Sequence, residues 1–228
     1  MNLKRFARPV GLAVPFLAAV ALAVWIFDPP ELPDLSLEED IDRHKVLNSW
    51  QLGDMVVLVR HLERCDRSES PCLDGRDGIT ARSVDVGVEL SEEFYQLGVD
   101  RAAVYNSPMT RTDQTADILF GGYSSDRDWL NKCRKSDSLL KDVMHFKQPG
   151  KNLVLITHST CIARFEEALG FSSDTPDYGT SIFLTTEPGV KHPRILGFLD
   201  VGDWDRVFGV PDTLLLPGLD LPAVGVLP

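Results

Sequence analysis

Two stretches of this chain share one pattern, an unbroken apolar run that ends at a histidine. Met55 to His61 reads MVVLVRH, and Asn152 to His158 reads NLVLITH. A strand that is apolar at every position, rather than at every second one, is typical of a parallel sheet whose two faces are both covered. The two runs therefore predict the centre of an α/β fold, with a histidine at the end of two of its strands.

Helical and strand-like segments alternate along the rest of the chain. Between 79 and 97 apolar side chains, among them Val86 and Leu90, recur with the period of a helix, and Thr80 is its predicted N-cap. The other predicted elements are strands at 102–107, 180–187 and 194–200, helices at 110–120 and 160–170, and a helix that lies between 126 and 146. This alternation predicts a three-layer α/β/α sandwich with a mostly parallel central sheet.

The two ends of the chain have a different composition from this domain. An uncharged run at 10–27 follows Lys4, Arg5 and Arg8, which is the charge order of a segment that exports the remainder of the chain. Its length suits a membrane-spanning helix, and small residues within it also suit cleavage by signal peptidase. The predicted division is a signal anchor or signal peptide at 1–27, a Pro-rich acidic spacer at 28–45, a domain at 46–210 and a Pro/Leu-rich C-terminal arm at 211–228.

Charge and export together limit where the protein works and what it binds. A net charge of −11 excludes a general nucleic-acid binder, which would present a basic face, but it allows a locally positive pocket for an anion. With an anchor favoured over a cleaved signal, we expect a periplasmic domain held at the inner membrane by residues 10–27. If the segment is cleaved, the domain is free in the periplasm.

The four cysteines fit an exported chain, in which disulfides form and persist. They are Cys65, Cys72, Cys133 and Cys161, and sequence alone leaves three pairings open. Cys65 with Cys72 closes a short loop and is the favoured pair, which leaves Cys133 for Cys161. A zinc site is the competing interpretation, but the spacing lacks a CxxC pair. No metal or cofactor is therefore predicted.

Polar residues follow three of the predicted strands. Arg60 and His61, Ser107 and His158 each stand at a strand end, and Arg111 opens the helix after the Ser107 strand. Ligands of open α/β sheets bind beyond the carboxyl ends of the strands. A guanidinium group can bind a phosphate through two parallel hydrogen bonds. Two histidines at equivalent strand ends beside two arginines favour a phosphate site over structural histidines and surface ion pairs.

At these residues the chain resembles the histidine phosphatase superfamily, in its phosphoglycerate-mutase-like branch. The segments VRHLERCD, NSPMTRTDQTA and ITHST are similar to three ordered motifs of that family and span residues 55–170. The resemblance implies that His61 attacks phosphorus and forms a phosphohistidine. It also implies that Arg60, Arg111 and His158 bind the phosphate oxygens and that Ser107 lines the substrate site, without a metal.

The resemblance leaves the general acid open. Many members of the family use a carboxyl group between the second arginine and the last histidine, where Asp137 is favoured, with Glu63 as the next candidate. Further candidates are Asp66, Asp126, Asp128 and Asp142. The chain departs from the family at two positions. Leu62 follows the nucleophile where the family usually has glycine, and this larger side chain predicts altered access to the pocket. Ser83 replaces a second glycine of the family.

A longer segment, RHLERCDRSESPCLDGRDGIT, resembles the Ais-type lipopolysaccharide core heptose(II)-phosphate phosphatases of Gram-negative bacteria. Those proteins are exported, and the resemblance implies a phosphorylated glycan substrate with Arg64 and Arg67 at the pocket rim. The alternative for these two arginines is a solvated loop. Two other functions stay open at this point. One is a histidine phosphatase for other exported phosphosugars or phosphoproteins, and the other is an inactive module that binds phosphoglycans.

Overall fold

The computed structural model describes residues 29–37, 40–122, 124–133, 135, 138–173, 175–187 and 193–208. Within them, six strands form one sheet: β1 Met55–Arg60, β2 Ala102–Asn106, β3 Ser124–Asp126, β4 Asn152–Thr157, β5 Ser181–Thr185 and β6 Arg194–Leu199. The order across the sheet is β3-β2-β4-β1-β5-β6. The first four strands in that order are parallel to one another, and β5 and β6 add an antiparallel edge.

Helices cover both faces of this sheet. They are α1 Asp40–Leu52, α2 Ser83–Leu97, α3 Thr110–Phe120, α4 Trp129–Lys132, α5 Leu139–Phe146, α6 Ser159–Ala168 and α7 Trp204–Phe208. The side chains of β1 divide between the two layers: Val57 and Val59 pack with Phe94 of α2, whereas Val56 and Leu58 pack with Phe165 of α6. Burial on both faces explains why the run is apolar at every position, and the predicted three-layer sandwich is confirmed.

The start of α2 differs from the predicted one. Thr80 does not cap the helix, which begins at Ser83 with Arg82 as its N-cap residue. The Thr80 hydroxyl instead donates to Glu63 Oε2 at 2.9 Å, and its backbone N–H donates to the Glu63 carbonyl oxygen. The helix then turns Leu90 and Phe94 inward as expected, but Val86 is 37% exposed. The hydrogen bond to Glu63, 17 residues earlier in the chain, therefore takes the Thr80 hydroxyl away from the helix N-cap position that the local sequence favours.

The region 126–146, which is predicted to hold a helix, contains that helix and further short elements. The strand β3 ends at Asp126, and the short helix α4 and the longer α5 follow it. The disulfide between Cys133 and Cys161 joins the end of α4 to the first turn of α6. The second disulfide joins Cys65 to Cys72, so both predicted pairs are present.

The predicted spacer at 28–45 is partly folded. Residues 33–35 lie along the outer edge of β6, where the Leu35 N–H donates to the Phe198 carbonyl oxygen at 3.1 Å, and α1 begins at Asp40. The predicted signal or anchor at 1–27 and the arm at 211–228 lie outside the described residues. In the part of the chain that the structure describes, no helix has both the length and the apolar character needed to cross a membrane.

Candidate active site

The strand order brings the predicted site residues to one edge of the sheet. Arg60 is paired with Thr157 across the parallel strands β1 and β4, so His61 and His158 leave the sheet side by side. Their ring centroids are 5.4 Å apart. The strand β2 lies on the other side of β4 and delivers Ser107 to the same edge. Arg111 reaches the two imidazoles from the first turn of α3.

His61 is held as a neutral imidazole with a defined tautomer. Its Nδ1 lies 2.7 Å from the Leu62 carbonyl oxygen, and since that oxygen only accepts, Nδ1 carries the hydrogen. The Arg111 Nε–H donates to Nε2 at 3.2 Å, so Nε2 presents its lone pair. Burial, helped by the nearby positive groups that include Arg111, lowers the pKa of His61 to about 2, although the hydrogen bond to the Leu62 carbonyl oxygen acts in the opposite direction. The unprotonated nitrogen needed for attack on phosphorus is therefore present at neutral pH.

His158 is oriented from both of its ring nitrogens. Arg111 Nη2 lies 3.4 Å from Nδ1, and because a guanidinium only donates, Nδ1 accepts in this contact. Nε2 lies 2.9 Å from the Ser107 hydroxyl oxygen and is left as the donor. Ser107 is fully buried. This geometry favours a role for Ser107 in orienting His158 over the direct substrate contact expected from the sequence.

Arg60 lies against the loop that precedes β5. Its Nη1 donates to the Pro176 carbonyl oxygen, and its guanidinium carbon lies 3.9 Å from the ring centroid of Tyr178. Burial lowers the pKa of Arg60, while Tyr178 and Asp177 act in the opposite direction. Because an arginine starts from a pKa above 12, the side chain keeps its charge. Its Nε is buried and has no hydrogen-bond partner among the described residues, which leaves a charged donor for an anion.

Helix α3 supports the nucleophile from behind. The Leu62 N–H donates to the Thr115 hydroxyl oxygen at 3.1 Å, and that hydroxyl donates to the Arg111 carbonyl oxygen at 2.7 Å. The Thr112 hydroxyl contacts the Ser107 carbonyl oxygen at 2.6 Å. The spacing of the segment NSPMTRTDQTA thus places one arginine in the site and two threonines on the backbone that carries the site. The sequence indicated the arginine but not the role of the threonines.

The rim contains the loop that the Cys65–Cys72 disulfide closes. Arg64 forms an ion pair with Asp66, with Arg64 Nε donating to Asp66 Oδ1 at 2.8 Å. The charges of Arg64 and Arg67 each lower the pKa of Arg60, so both guanidinium groups act on the phosphate site electrostatically. Asp66 is held as a carboxylate because the hydrogen bond from Arg64 lowers its pKa. One of the two arginines of the rim is thus already paired with Asp66.

The candidates for the general acid lie in different surroundings. The side chain of Arg82 binds Glu63, with Nε donating to Oε2 at 2.7 Å, and this hydrogen bond lowers the pKa of Glu63. A proton donor needs a raised pKa, so this environment does not favour Glu63. Asp126 accepts from Asn106 Nδ2 at 2.5 Å, and Asp142 accepts from Ser138 at 2.7 Å. Asp137 lies outside the described residues.

Leu62 is buried in the core and does not restrict the pocket, contrary to the sequence-based expectation. It is 1% exposed, and its methyl groups lie next to Gly87 of α2 and Gly179 of the loop before β5. A Cβ built on Gly87 would approach Leu62 Cδ1 to 2.8 Å, so the glycine makes room for the leucine. Ser83, the second departure, donates its hydroxyl hydrogen to the Thr80 hydroxyl oxygen at 2.7 Å, because the Thr80 hydrogen is donated to Glu63.

The loop before β5 contains a site residue that the sequence did not indicate. The Tyr178 ring lies 5.7 Å from the His61 ring, in addition to its contact with Arg60. The segment DTPDYGT has the composition of a turn, and nothing in its pattern points to residue 60. Only the tertiary structure brings the two together.

These groups suit the transfer of a phosphoryl group. The neutral His61 imidazole lies within hydrogen-bond distance of the Arg111 guanidinium and within electrostatic reach of that of Arg60. The two positive groups can therefore stabilise the oxygens of a phosphate under attack, where charge redistributes. Among the described residues, no group of three or more histidine, cysteine, aspartate or glutamate side chains is arranged to hold a metal ion.

The chain is similar in sequence to curated phosphatases of Escherichia coli. It is 31% identical over 151 residues to the lipopolysaccharide core heptose(II)-phosphate phosphatase of Escherichia coli O1:K1, an alignment that covers 65% of this chain and 74% of the relative. The protein of the same name from Escherichia coli O139:H28 gives the same identity and coverage. No protein-family model matches the chain.

Among solved structures, the fold is similar to that of an Escherichia coli K-12 protein assigned as an alpha-ribazole-5'-P phosphatase. The TM-score is 0.50 at 12% identity, over 64% of this chain and 97% of the other. At this identity the similarity concerns the fold alone.

Proposed function

Because the chain belongs to the histidine phosphatase superfamily, and within it to the family of lipopolysaccharide core heptose(II)-phosphate phosphatases, we propose that it removes phosphate from a heptose of the lipopolysaccharide core. The chain is a phosphatase, a hydrolase of phosphoric monoesters. The proposal adds the residues that perform the reaction, the glycan that carries the phosphate and the compartment.

The observation that carries the proposal is the state of His61. Its Nδ1–H donates to the Leu62 carbonyl oxygen, and the lone pair of its Nε2 accepts from the Arg111 Nε–H. A phosphate oxygen competes with Nε2 for that donor and, by accepting it, releases the lone pair for attack. The Leu62 carbonyl then stabilises the positive charge that develops on the ring as Nε2 becomes bonded to phosphorus.

The first step transfers the phosphoryl group to the enzyme. The bond between His61 Nε2 and phosphorus forms while the bond between phosphorus and the heptose oxygen breaks. Arg60 and Arg111 bind non-bridging oxygens, whose charge redistributes during the transfer. His158 donates to the remaining oxygen from Nδ1 in its other tautomer, in which Nε2 accepts from the Ser107 hydroxyl. The heptose oxygen leaves with a proton from a general acid, for which Asp137 is the candidate.

The second step regenerates the enzyme. Water attacks the phosphohistidine, the bond between Nε2 and phosphorus breaks, and inorganic phosphate leaves. The carboxylate that gave its proton in the first step accepts one from the attacking water, so the general acid is protonated again at the end of the cycle. Positioned proton transfer of this kind contributes typically 10²–10⁴-fold in rate.

The rim and the disulfides support the substrate and the compartment of this proposal. Arg64 and Arg67 place two guanidinium groups within electrostatic reach of Arg60, beside the phosphate that reacts, which suits a glycan with further anionic groups. Two disulfides indicate an oxidising compartment, and the periplasm is the one that the lipopolysaccharide core crosses. Residues 10–27 would hold the enzyme at the inner membrane or, if cleaved, direct its export.

The experiment is phosphate release from purified phosphorylated lipopolysaccharide core and from an aryl phosphate, with EDTA present. The wild type is compared with His61→Ala and with the control His44→Ala, which changes an exposed histidine of α1. We expect release from the core that persists in EDTA and in the control and is lost in His61→Ala. Activity on the aryl phosphate alone would move the substrate to another exported phosphate ester. No release from either, despite binding of the core, would replace the proposal with a binding module.

A further inference from the structure

The segment 176–180 surrounds Arg60 with four contacts. The Arg60 side chain donates to the Pro176 carbonyl oxygen and lies over the ring of Tyr178. Its backbone N–H donates to the Thr180 carbonyl oxygen at 3.0 Å, and its carbonyl oxygen accepts from the Gly179 N–H at 3.1 Å. One short loop therefore holds both the main chain and the guanidinium of a residue about 116 positions earlier.

Tyr178 is the only side chain of this loop that the structure describes in ring contact with the site. Its ring centroid is 3.9 Å from the guanidinium carbon of Arg60 and 5.7 Å from the ring centroid of His61. A planar guanidinium stacks on an aromatic face, and this contact fixes the plane in which its N–H groups point. The Pro176 carbonyl occupies one of those N–H groups, and Nε stays unpaired among the described residues.

The loop itself is fixed against the core. Gly179 has φ +84°, a conformation that side chains other than glycine rarely adopt, and a Cβ there would approach Val201 to 2.6 Å. The same Cβ position lies 3.6 Å from Leu62, the residue that follows the nucleophile. The Thr180 hydroxyl donates to Asp200. Because these contacts leave the loop little freedom, the Tyr178 ring is a rigid support.

We propose that Tyr178 is a positioning residue, which holds the Arg60 guanidinium in the plane that binds a phosphate oxygen beside His61. The inference deepens the proposed function and rests on it for the identity of the reacting phosphate. It does not rest on the heptose, because the same support serves any phosphate monoester. Tyr178 acts through Arg60 and is not assigned a proton in the reaction.

The contact has a measurable size. Arginine–aromatic contacts are worth about 0.5–2 kcal/mol, which corresponds to a change of about 2- to 30-fold in a binding constant. Removal of the ring by Tyr178→Leu is therefore expected to weaken the binding of inorganic phosphate and to raise the KM for an aryl phosphate within that range. Tyr178→Phe keeps the aromatic face and is expected to stay within about twofold of the wild type.

The test is a double-mutant cycle between Tyr178 and Arg60. Binding of inorganic phosphate is measured by calorimetry for the wild type, Tyr178→Leu, Arg60→Lys and the double variant. A lysine has no planar group to stack. We expect Tyr178→Leu to lose little further affinity in the Arg60→Lys background. Tyr95→Leu, at a tyrosine that is 53% exposed on α2, is the control and should bind phosphate like the wild type.

Two results would overturn the inference: phosphate affinity unchanged in Tyr178→Leu, or the same loss of affinity in both backgrounds. Tyr178→Met is a second variant without a ring, and it must agree with the leucine, which separates the loss of stacking from a local packing defect. The calorimetry needs no turnover. If the wild type binds phosphate but hydrolyses no ester, the proposed function fails while the role of Tyr178 is still tested.

Discussion

Replacement of His61 is expected to change how the stability of the protein depends on pH. Burial lowers the pKa of His61 from 6.5 to about 2, so the folded protein keeps this imidazole neutral at pH values where the unfolded chain protonates it. As pH falls below 6.5, protons therefore favour the unfolded state. The stability of the wild type declines on this account by up to about 1.4 kcal/mol per pH unit, while above 6.5 the contribution is constant.

The magnitude follows from the two pKa values. Between pH 7.5 and pH 5.0 this linkage amounts to about 2 kcal/mol, and a protein without an imidazole at position 61 lacks it. His61→Gln should therefore gain about 2 kcal/mol relative to the wild type over that interval, whatever its stability at pH 7.5. All other titrating groups are shared by the two proteins, so their contributions largely cancel in the difference.

The assay is urea denaturation at the two pH values with both disulfides intact, and the free energy of unfolding is extrapolated to water. His44→Gln on α1 changes an exposed histidine and is expected to follow the wild-type pH dependence. If the difference between wild type and His61→Gln shifts by less than about 0.5 kcal/mol, His61 takes up its proton in the folded state over this range. The account of a neutral, buried nucleophile would then be refuted.

Three further expectations concern the acid, the disulfide and Leu62. Asp137→Asn should lower kcat by about 10²–10⁴-fold for a sugar phosphate and far less for an aryl phosphate, because an aryl oxide needs little help from an acid to leave. Glu63→Gln should change kcat weakly for both substrates. Equal effects of the two variants in steady-state assays would contradict the assignment of the acid. The Cys133→Ser/Cys161→Ser protein should lose about 3–4 kcal/mol of unfolding free energy in denaturant titrations, because that bridge spans 28 residues, and an unchanged midpoint would refute this. Leu62→Ala should lose about 2–5 kcal/mol of unfolding free energy in the same titrations, because it leaves a cavity in the core, and the KM for an aryl phosphate should stay unchanged. A large shift in that KM would show that Leu62 faces the pocket.

The elements that could be predicted from the sequence are those with a strong local pattern. Periodicity and spacing predicted the apolar runs of β1 and β4 and the bounds of α3, and they favoured, among three open pairings, the cysteine pairs that the structure has. The positions of His61, His158 and Arg111 followed too, because parallel strands deliver their carboxyl ends to one edge.

The features that could not be predicted depend on contacts between distant segments. The Thr80 hydroxyl binds Glu63 and does not cap α2, and Leu62 turns into the core because Gly87 and Gly179 leave space for it. Tyr178 joins the site through a loop whose sequence shows only that it turns. In each case the partner lies more than 15 residues away, where neither helical nor strand periodicity carries information.

The central claim is that His61 carries the phosphoryl group, and its most direct test is to trap that intermediate. The enzyme is mixed with a phosphate ester, quenched in alkali, which preserves a bond between nitrogen and phosphorus, and digested for mass spectrometry. The account predicts one phosphoryl group, labile to acid, on the peptide that contains His61, and its loss in His61→Ala. Turnover with no modified His61, or with the phosphoryl group on another residue, would contradict it.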